Sequence, residues 1–475
     1  MEEILQIHDT NSVETVRAQL KNGRKRLYLE TYGCQMNVYD SELVTRIMAG
    51  MDYELIDDYH EADAIFLNTC AIRENAEQRV WGQLTRFKQL KERRPELIIG
   101  VLGCMAKHLE KEIHDKRPYV NLVLGPDSYK KLPELIRPES LGLRPADPGE
   151  DFSIREFHDL PDLQMDTRLS KTEVYEGVEP LRLGKTTAWI AIMRGCDNFC
   201  TFCVVPFTRG RERSRSVESV VEEARRAVDK GYSEICLLGQ NVNSYRDGAN
   251  SFTDLMAKVS DIPGVLRVRF TSPHPKDFPA SLLHLIAERK NLSKQIHMPV
   301  QSGSNRILEL MNRTYTREEY LALIEKTREI IQGVAITTDV ICGFPTESEQ
   351  DHQDTVDLFR RVEFDAAYTF KYSARPGTKA NNLPDDVSEE IKSSRLAEIM
   401  ELQRRVGDRK FREEIGKIHS VLLEDVSRKS ADYLFGKTNK AQAVVVPKVH
   451  LRPGMEINVR IVRAEGQTLF GELAT

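Results

Sequence analysis

Strand-like and helix-like segments alternate along most of this 475-residue chain, and that alternation limits its fold more than any other feature. Lys25–Cys34, Ala62–Cys70 and Leu97–Cys104 read as strands, and helical patterns follow at roughly Val38–Met51 and Glu74–Arg93. Strands separated by helices pair in parallel with right-handed crossovers. The N-terminal third is therefore expected to be a parallel-sheet α/β domain, with a last strand near Tyr119–Pro126. Each of the first three segments ends in a cysteine. Carboxyl ends of parallel strands line the edge where open α/β sheets bind ligands, so Cys34, Cys70 and Cys104 are expected to converge although 36 and 34 residues separate them. Gly33 and Gly103 leave room for close approach, and Asn68 and Thr69 offer polar contacts. Free cysteines are often simply buried. Three in the same place on successive strands point instead to thiolates that hold an iron–sulfur cluster.

After a loosely patterned connecting segment over 138–182, the alternation resumes at Thr187. Strand candidates are Trp189–Arg194, Glu234–Gln240, Leu266–Ser272, Gln295–Gln301, Ala335–Gly343 and Ala366–Ser373. The helical patterns between them are Val217–Lys230, Thr253–Val259, Ala280–Arg289, Arg317–Ile331 and Glu349–Arg361. Six parallel strands with five helices are too few for a full eight-strand barrel and suit an open (β/α)6 partial barrel. Its active face would be the carboxyl ends of the strands. There, directly after the first strand, stand Cys196, Cys200 and Cys203, spaced C-x3-C-x2-C. Three thiolates so close can hold three irons of a [4Fe–4S] cube and leave the fourth iron open to a small molecule. A zinc site would want a fourth Cys or His nearby, and none follows at a suitable spacing; a disulfide is the other alternative. Cys236 and Cys342 lie inside apolar strand patterns and read as core residues.

Polar and glycine residues end several barrel strands. Gln240 and Asn241 end the second, Gln301 the fourth, Gly343 and Glu347 the fifth, and Arg375 the sixth; such groups can bind a ligand at a barrel face. Arg209, Arg211, Arg213 and Arg215 follow the cysteine loop, and guanidinium forks suit phosphate. From about Lys417 the pattern shortens to five strands, Ile418–Glu424, Tyr433–Thr438, Ala441–Val446, Glu456–Ala464 and Thr468–Leu473. They suit a small antiparallel β-barrel of the kind that binds oligonucleotides, with Lys437 and Lys440 on or beside one strand. The net charge of −5 argues against a protein that coats nucleic acid non-specifically, yet residues 404–475 hold 14 Lys and Arg against 9 Asp and Glu, a local basic balance. No apolar run approaches the ~20 residues that span a bilayer, and the N-terminus has no secretory pattern. A cytoplasmic location is expected, with the eight cysteines kept reduced. The expected organisation is an extension over 1–24, the cysteine-bearing α/β domain over 25–137, the connecting segment over 138–182, the barrel over 183–411 and the small β-barrel over 412–475.

The C-x3-C-x2-C loop, with Phe202 before its last cysteine, resembles the radical S-adenosylmethionine (SAM) superfamily. Thr31–Asn37, Asn68–Glu74, Cys203–Gly210, Leu238–Asn243, Pro299–Ser304 and Tyr372–Thr378 resemble the methylthiotransferases within it, and Lys437-Thr-Asn-Lys440 resembles a landmark of the TRAM RNA-binding domain. Leu238-Gly-Gln240 replaces the Gly-Gly-Glu common in the superfamily, a departure shared by this family. The resemblance implies two [4Fe–4S] clusters, one on Cys196, Cys200 and Cys203 and an auxiliary one on Cys34, Cys70 and Cys104. It implies SAM near Phe202, Gln240, Asn241, Gln301, Gly343 and Glu347, used both as methyl donor and as source of a 5′-deoxyadenosyl radical. The radical would take hydrogen from C2 of the isopentenylated adenosine at position 37 of tRNA, where methylthio then attaches. Alternative substrates within the family are threonylcarbamoyl-adenosine of tRNA and an aspartate of a ribosomal protein. Implied partners are a tRNA anticodon stem-loop, met by Arg209, Arg211, Arg213, Arg375, Lys437 and Lys440, an electron donor such as flavodoxin or ferredoxin, and a sulfur donor; no membrane is involved.

Overall fold

The computed structural model describes residues 24–71, 74–137, 141 and 163–474. The expected N-terminal extension and most of the connecting segment lie outside the described residues. The chain divides into two compact units. The first comprises the residues before Gly184 together with Arg194–Asp197 and Val204–Arg213; the second comprises Gly184–Met193, Asn198–Cys203 and the residues from Ser214 onward.

The first unit is built on a parallel sheet of six strands: β1 (Lys25–Tyr32), β2 (Tyr53–Ile56), β3 (Ala64–Thr69), β4 (Ile98–Gly103), β5 (Leu122–Leu124) and β6 (Gln164–Asp166), in the order β2-β1-β3-β4-β5-β6. Every residue of β3 and β4 is buried, as expected of parallel strands covered on both faces. Helices α1 (Gln35–Ala49) and α2 (Glu74–Arg93) lead away from β1 and β3, with Leu84 and Phe87 of α2 in the core beside Ile65, Leu67 and Val101. The strand order reverses between β1 and β3, which makes their carboxyl ends a switch point of the kind that opens a ligand crevice. Two strands go beyond the sequence reading. Tyr53–Ile56 and Gln164–Asp166 are only four and three residues long, too short for alternation to register. The second of them lies in the segment read as a connector, and it extends the sheet by pairing with β5.

In the second unit six parallel strands follow: β7 (Thr187–Ala191), β8 (Glu234–Leu238), β9 (Arg267–Phe270), β10 (Gln295–His297), β11 (Ala335–Cys342) and β12 (Ala366–Lys371). They form two three-stranded sheets, β9-β8-β7 and β10-β11-β12, joined by a parallel bridge between Val268 and Leu292. Five helices between them cover Val217–Asp229, Phe252–Ser260, Ala280–Glu288, Arg317–Ile330 and Glu349–Val362, each within two residues of the sequence reading; the short helix Asn305–Leu310 was not expected. The last two of the five begin at Thr316 and Ser348, capping boxes that satisfy orphan N–H groups of the first turn. Cys342 lies in the apolar core of this unit and Cys236 is buried in β8. Both are core residues, as the sequence reading had it, and burial pushes their thiols up to about 12, which keeps them neutral.

A long helix, Glu389–Arg412, leads to a closed barrel of β13 (Ile418–Val426), β14 (Tyr433–Thr438), β15 (Ala443–Pro447), β16 (Glu456–Glu465) and β17 (Thr468–Leu473), in the order β13-β14-β15-β17-β16. The barrel is not wholly antiparallel as expected: β15 and β17 pair in parallel. Five strands in a closed ring cannot alternate direction all the way round, so one neighbouring pair must run the same way. This barrel docks against the amino ends of the partial-barrel strands. Arg267, the first residue of β9, donates to the carbonyls of Lys437 (2.8 Å) and Thr438 (3.1 Å) and pairs with Glu456 at 3.2 Å. Ser293 and Lys294, just before β10, donate to the Asn439 carbonyl, and Ser233 donates to that of Gly454 at 3.0 Å.

Candidate functional site

In the first unit the three expected cysteines stand where strand ends meet helix starts. Cys34 follows β1 and precedes α1, Cys70 follows β3, and Cys104 follows β4 and opens the short helix Cys104–His108. Gly33 (φ +132°) and Gly103 (φ +90°) lie in the left-handed region. A Cβ at Gly33 would sit 2.5 Å from the Cys70 Cβ, and one at Gly103 would sit 2.4 Å from Asn68 Oδ1. Only glycine fits either place. Asn68 is fully buried and donates to the Asn37 carbonyl and to Ser41 Oγ, each at 2.9 Å. Asn37 in turn receives the Cys34 thiol at 3.2 Å. The polar residues read beside these cysteines thus hold the loops that carry them.

A hydrogen bond with Cys70 and the nearby Arg209 guanidinium pull the Cys34 thiol below its ordinary value, against burial. Burial pushes Cys104 up, opposed by Arg209, whose Nε donates to the Cys104 sulfur at 3.1 Å. Among the described residues no three His, Cys, Asp or Glu side chains are gathered for a single metal ion; a cube distributes its thiolates over separate irons. The donor set fits such a group: three free cysteines, a glycine-cleared approach, and two buried donors without partners, Thr69 Oγ1 and Arg209 Nη1.

The C-x3-C-x2-C loop is shared between the units, Cys196 with the first and Cys200 and Cys203 with the second. In the second unit, Thr201 is tied to the carbonyls of Met311 (3.0 Å) and Leu310 (2.8 Å), and Asn312 donates to the Asn198 and Phe199 carbonyls. The buried Arg313 donates to the Pro299 carbonyl at 2.8 Å and to Tyr315 at 3.0 Å, and faces the Cys200 sulfur at 3.5 Å. Phe202 packs beside Ile307, Met311, Phe344 and Tyr372. Arg313 escaped the sequence reading because nothing in its local pattern places it 113 residues away against Cys200.

At the barrel face Asn241 is buried and Gln240 half-buried just past β8. Gln301 holds a left-handed backbone (φ +71°) and bridges to β11. Gly343 is also left-handed (φ +71°), with no room for a Cβ beside Lys392. Glu347 accepts from the Gly343 amide and from Arg395, each at 3.0 Å, so its carboxylate serves the loop after β11. Arg375 is half-buried beyond β12.

The expected phosphate contacts are placed differently. Arg209 and Arg213 are buried and paired with Asp40 and Asp127 at 2.7 and 3.0 Å. Both guanidinium groups are buried, which keeps them from RNA. Arg211 is exposed and bonds Asp197 at 2.6 Å. Lys437 and Lys440 lie at the docking seam of the small barrel, paired with Glu424 (3.0 Å) and Glu414 (3.6 Å). The landmark they frame docks through its carbonyls, a role that strand periodicity cannot reveal.

A cysteine-rich loop after the first strand of a parallel partial barrel, with a second cysteine set on a parallel sheet and a closed β-barrel behind, defines a radical SAM protein of modular build. Family models match accordingly: the Radical SAM superfamily over residues 190–359, the uncharacterized protein family UPF0004 over 26–125, and the TRAM domain over 412–474. The tRNA-2-methylthio-N(6)-dimethylallyladenosine synthase of Chloroherpeton thalassium is 44% identical over 96% of this chain and 98% of its own length. That of Bacteroides fragilis is 45% identical over 94% of this chain and 95% of its own. The chain belongs to the tRNA-2-methylthio-N(6)-dimethylallyladenosine synthase family. The structure of the radical SAM methyltransferase TsrM from Kitasatospora setae, with cobalamin and a [4Fe–4S] cluster bound, aligns at a TM-score of 0.52 with 15% identity, over 76% of this chain and 74% of that one. At that identity the likeness is one of fold.

Proposed function

We propose that the protein is a radical SAM methylthiotransferase that converts N6-isopentenyladenosine at position 37 of tRNA to its 2-methylthio derivative, in the cytoplasm. One observation carries the reading: Cys34, Cys70 and Cys104 end adjacent parallel strands of a chain that also bears the C-x3-C-x2-C loop. Cys196, Cys200 and Cys203 would hold three irons of one [4Fe–4S] cluster, and Cys34, Cys70 and Cys104 three of a second. When bound, these groups and SAM supply reductive carbon–sulfur cleavage, a radical strong enough for an unactivated C–H bond, and a sulfur that accepts a methyl group. The chain's own residues position them. Gly33 and Gly103 let the backbone come close, and the Asn37–Asn68–Ser41 network fixes the Cys34 loop. Arg313 and the Thr201 bonds fix the loop of Cys200 and Cys203. Gln240, Asn241 and Gln301 offer polar groups to SAM at the carboxyl ends of β8 and β10. The target adenine must leave its stack to react, which a single-stranded anticodon loop permits at small cost. An electron donor such as flavodoxin or ferredoxin and a separate sulfur donor complete the scheme.

The test is anaerobic reconstitution followed by turnover with an isopentenylated anticodon stem-loop, read by nucleoside mass spectrometry. We expect 2-methylthio-isopentenyl-adenosine, with about eight irons per chain from two cubes. A C34A/C70A/C104A variant is expected to keep about four irons and SAM cleavage while losing methylthio transfer. A product formed only on threonylcarbamoyl-adenosine, or fewer than about six irons in the parent, would refute the assignment.

A further inference from the structure

Five charged side chains of the first unit form one buried network: Arg194, Arg209, Arg213, Asp40 and Asp127, none more than 9% exposed. Asp40 accepts from Arg194 at 2.8 Å and from Arg209 at 2.7 Å. Asp127 accepts from Arg213 at 3.0 Å and lies 3.7 Å from Arg194. Tyr129 donates to Asp40 at 3.5 Å, and the Tyr175 ring lies 4.7 Å from the Arg194 guanidinium. Burial holds both phenols neutral. Three guanidinium groups thus meet two carboxylates, and no third acid touches the network among the described residues. A buried, unbalanced cation is costly, so something anionic must complete it.

Arg209 shows where the surplus points. Its Nη2 serves Asp40, its Nε donates to the Cys104 sulfur at 3.1 Å, and its Nη1 is buried with no partner. Its charge also acts on Cys34. The rigid fork of arginine, always charged, is the side chain best suited to span a carboxylate and a sulfur at once.

We propose that Arg209 is a positioning residue for the auxiliary cluster: it donates to Cys104 and, through Nη1, to the cluster's own sulfur, and its charge favours the reduced form. This rests on the two-cluster reading above. Hydrogen bonds to cluster sulfurs and local charge are among the factors that set iron–sulfur potentials. A cation beside a cluster that gains an electron raises the midpoint, and losing that cation lowers it.

The experiment uses the full chain carrying C196A/C200A/C203A, so that only the auxiliary site can bind iron. It is reconstituted anaerobically, its iron is counted, and its cluster is titrated by electron paramagnetic resonance as parent, R209Q, R209K and R213Q. We expect about four irons in the parent. At a fixed potential R209Q should hold about tenfold less reduced cluster, a shift of about 59 mV for one electron, or bind no iron while remaining folded. R209K should fall between, and R213Q, which touches no cysteine, should stay near the parent. A parent without iron would overturn both this assignment and the two-cluster reading. Iron in the parent with equal midpoints in R209Q, or with R213Q shifted as far as R209Q, would overturn the role of Arg209 alone. Should R209Q fail to fold, R209K decides: a lowered midpoint supports the assignment, and an unchanged one rejects it.

Discussion

Gly103 carries more constraint than a residue without a side chain usually does. Its φ of +90° and the 2.4 Å approach of Asn68 Oδ1 to a notional Cβ both exclude a larger residue. Asn68 cannot retreat, since its amide already holds Asn37 and Ser41. G103A is therefore expected to cost about 1–3 kcal/mol, the range for backbone held in disfavoured regions. It should also displace Cys104, so that reconstituted iron falls more than thermal stability alone would explain. Paired melting curves and iron counts on G103A, with G177A as control, check this. Gly177 is also left-handed (φ +81°) but has open space around it, so G177A should lower the melting temperature and leave iron unchanged. Equal iron in G103A and the parent would mean that the loop yields where the geometry says it cannot. At this scale the sequence placed Cys34, Cys70 and Cys104 at the ends of strands and glycines before two of them, as the structure has them. It could not tell that Arg209 and Arg213 turn inward, because that depends on Asp40 and Asp127, more than eighty residues away in each case.

Elements were legible where periodicity runs long. Five helices of the partial barrel fall close to their expected bounds because each repeats an apolar face over two or more turns, and all six of its strands lie within four residues of theirs. Short edge strands such as Tyr53–Ile56 and Gln164–Asp166 offer too few residues for any period, and their pairing is decided by neighbours. The seam between the small barrel and the partial barrel was equally hidden, since it is made by carbonyls and by single charges. Glu414, between the long helix and β13, illustrates this. It accepts from His419 at 2.7 Å and faces Lys417 and Lys440 at 3.5 and 3.6 Å. The His419 bond, with the two lysines, holds its carboxyl down at about 2, against an ordinary 4.5. A carboxyl whose value falls on folding stabilises the fold at pH above its unfolded value, and that stability drains as the pH drops toward the folded one. The small barrel should therefore loosen between about pH 4.5 and pH 2, and E414Q should flatten that stretch of the stability–pH curve. Chemical denaturation at stepped pH, followed through the barrel's β signal, checks this. Parallel curves for E414Q and the parent would sink it. R267A tests the same seam at neutral pH. It removes three bonds of a buried guanidinium, one fully and two partly buried, and leaves the partly exposed Glu456 without its partner, a loss of about 1–3 kcal/mol in thermal unfolding.

For the whole molecule, the question is how an acidic chain holds RNA. The net charge is −5, so any RNA grip must be local. The seam lysines are poor candidates, since Lys437 and Lys440 already answer Glu424 and Glu414. The loops that follow β13 and β15 are better ones. The β13–β14 loop carries Arg428 and Lys429, and the β15–β16 loop carries Lys448 and Arg452, all exposed. The two loops meet where the Lys448 amide donates to the Asp432 carbonyl at 2.8 Å. Four cations stand there against Asp425 and Asp432, beside the exposed Tyr433, a ring on which a base can stack. Each phosphate contact releases counterions, and the logarithm of affinity falls with the logarithm of salt by about 0.7–0.9 per contact. Replacing Arg428, Lys429, Lys448 and Arg452 by alanine should therefore weaken binding of an anticodon stem-loop and reduce the salt slope by about three. K437A/K440A should change the slope by less than about one. Fluorescence anisotropy at four salt concentrations separates the two. A slope that survives the quadruple change but collapses in K437A/K440A would return the RNA contact to the seam and overturn the assignment to the two loops.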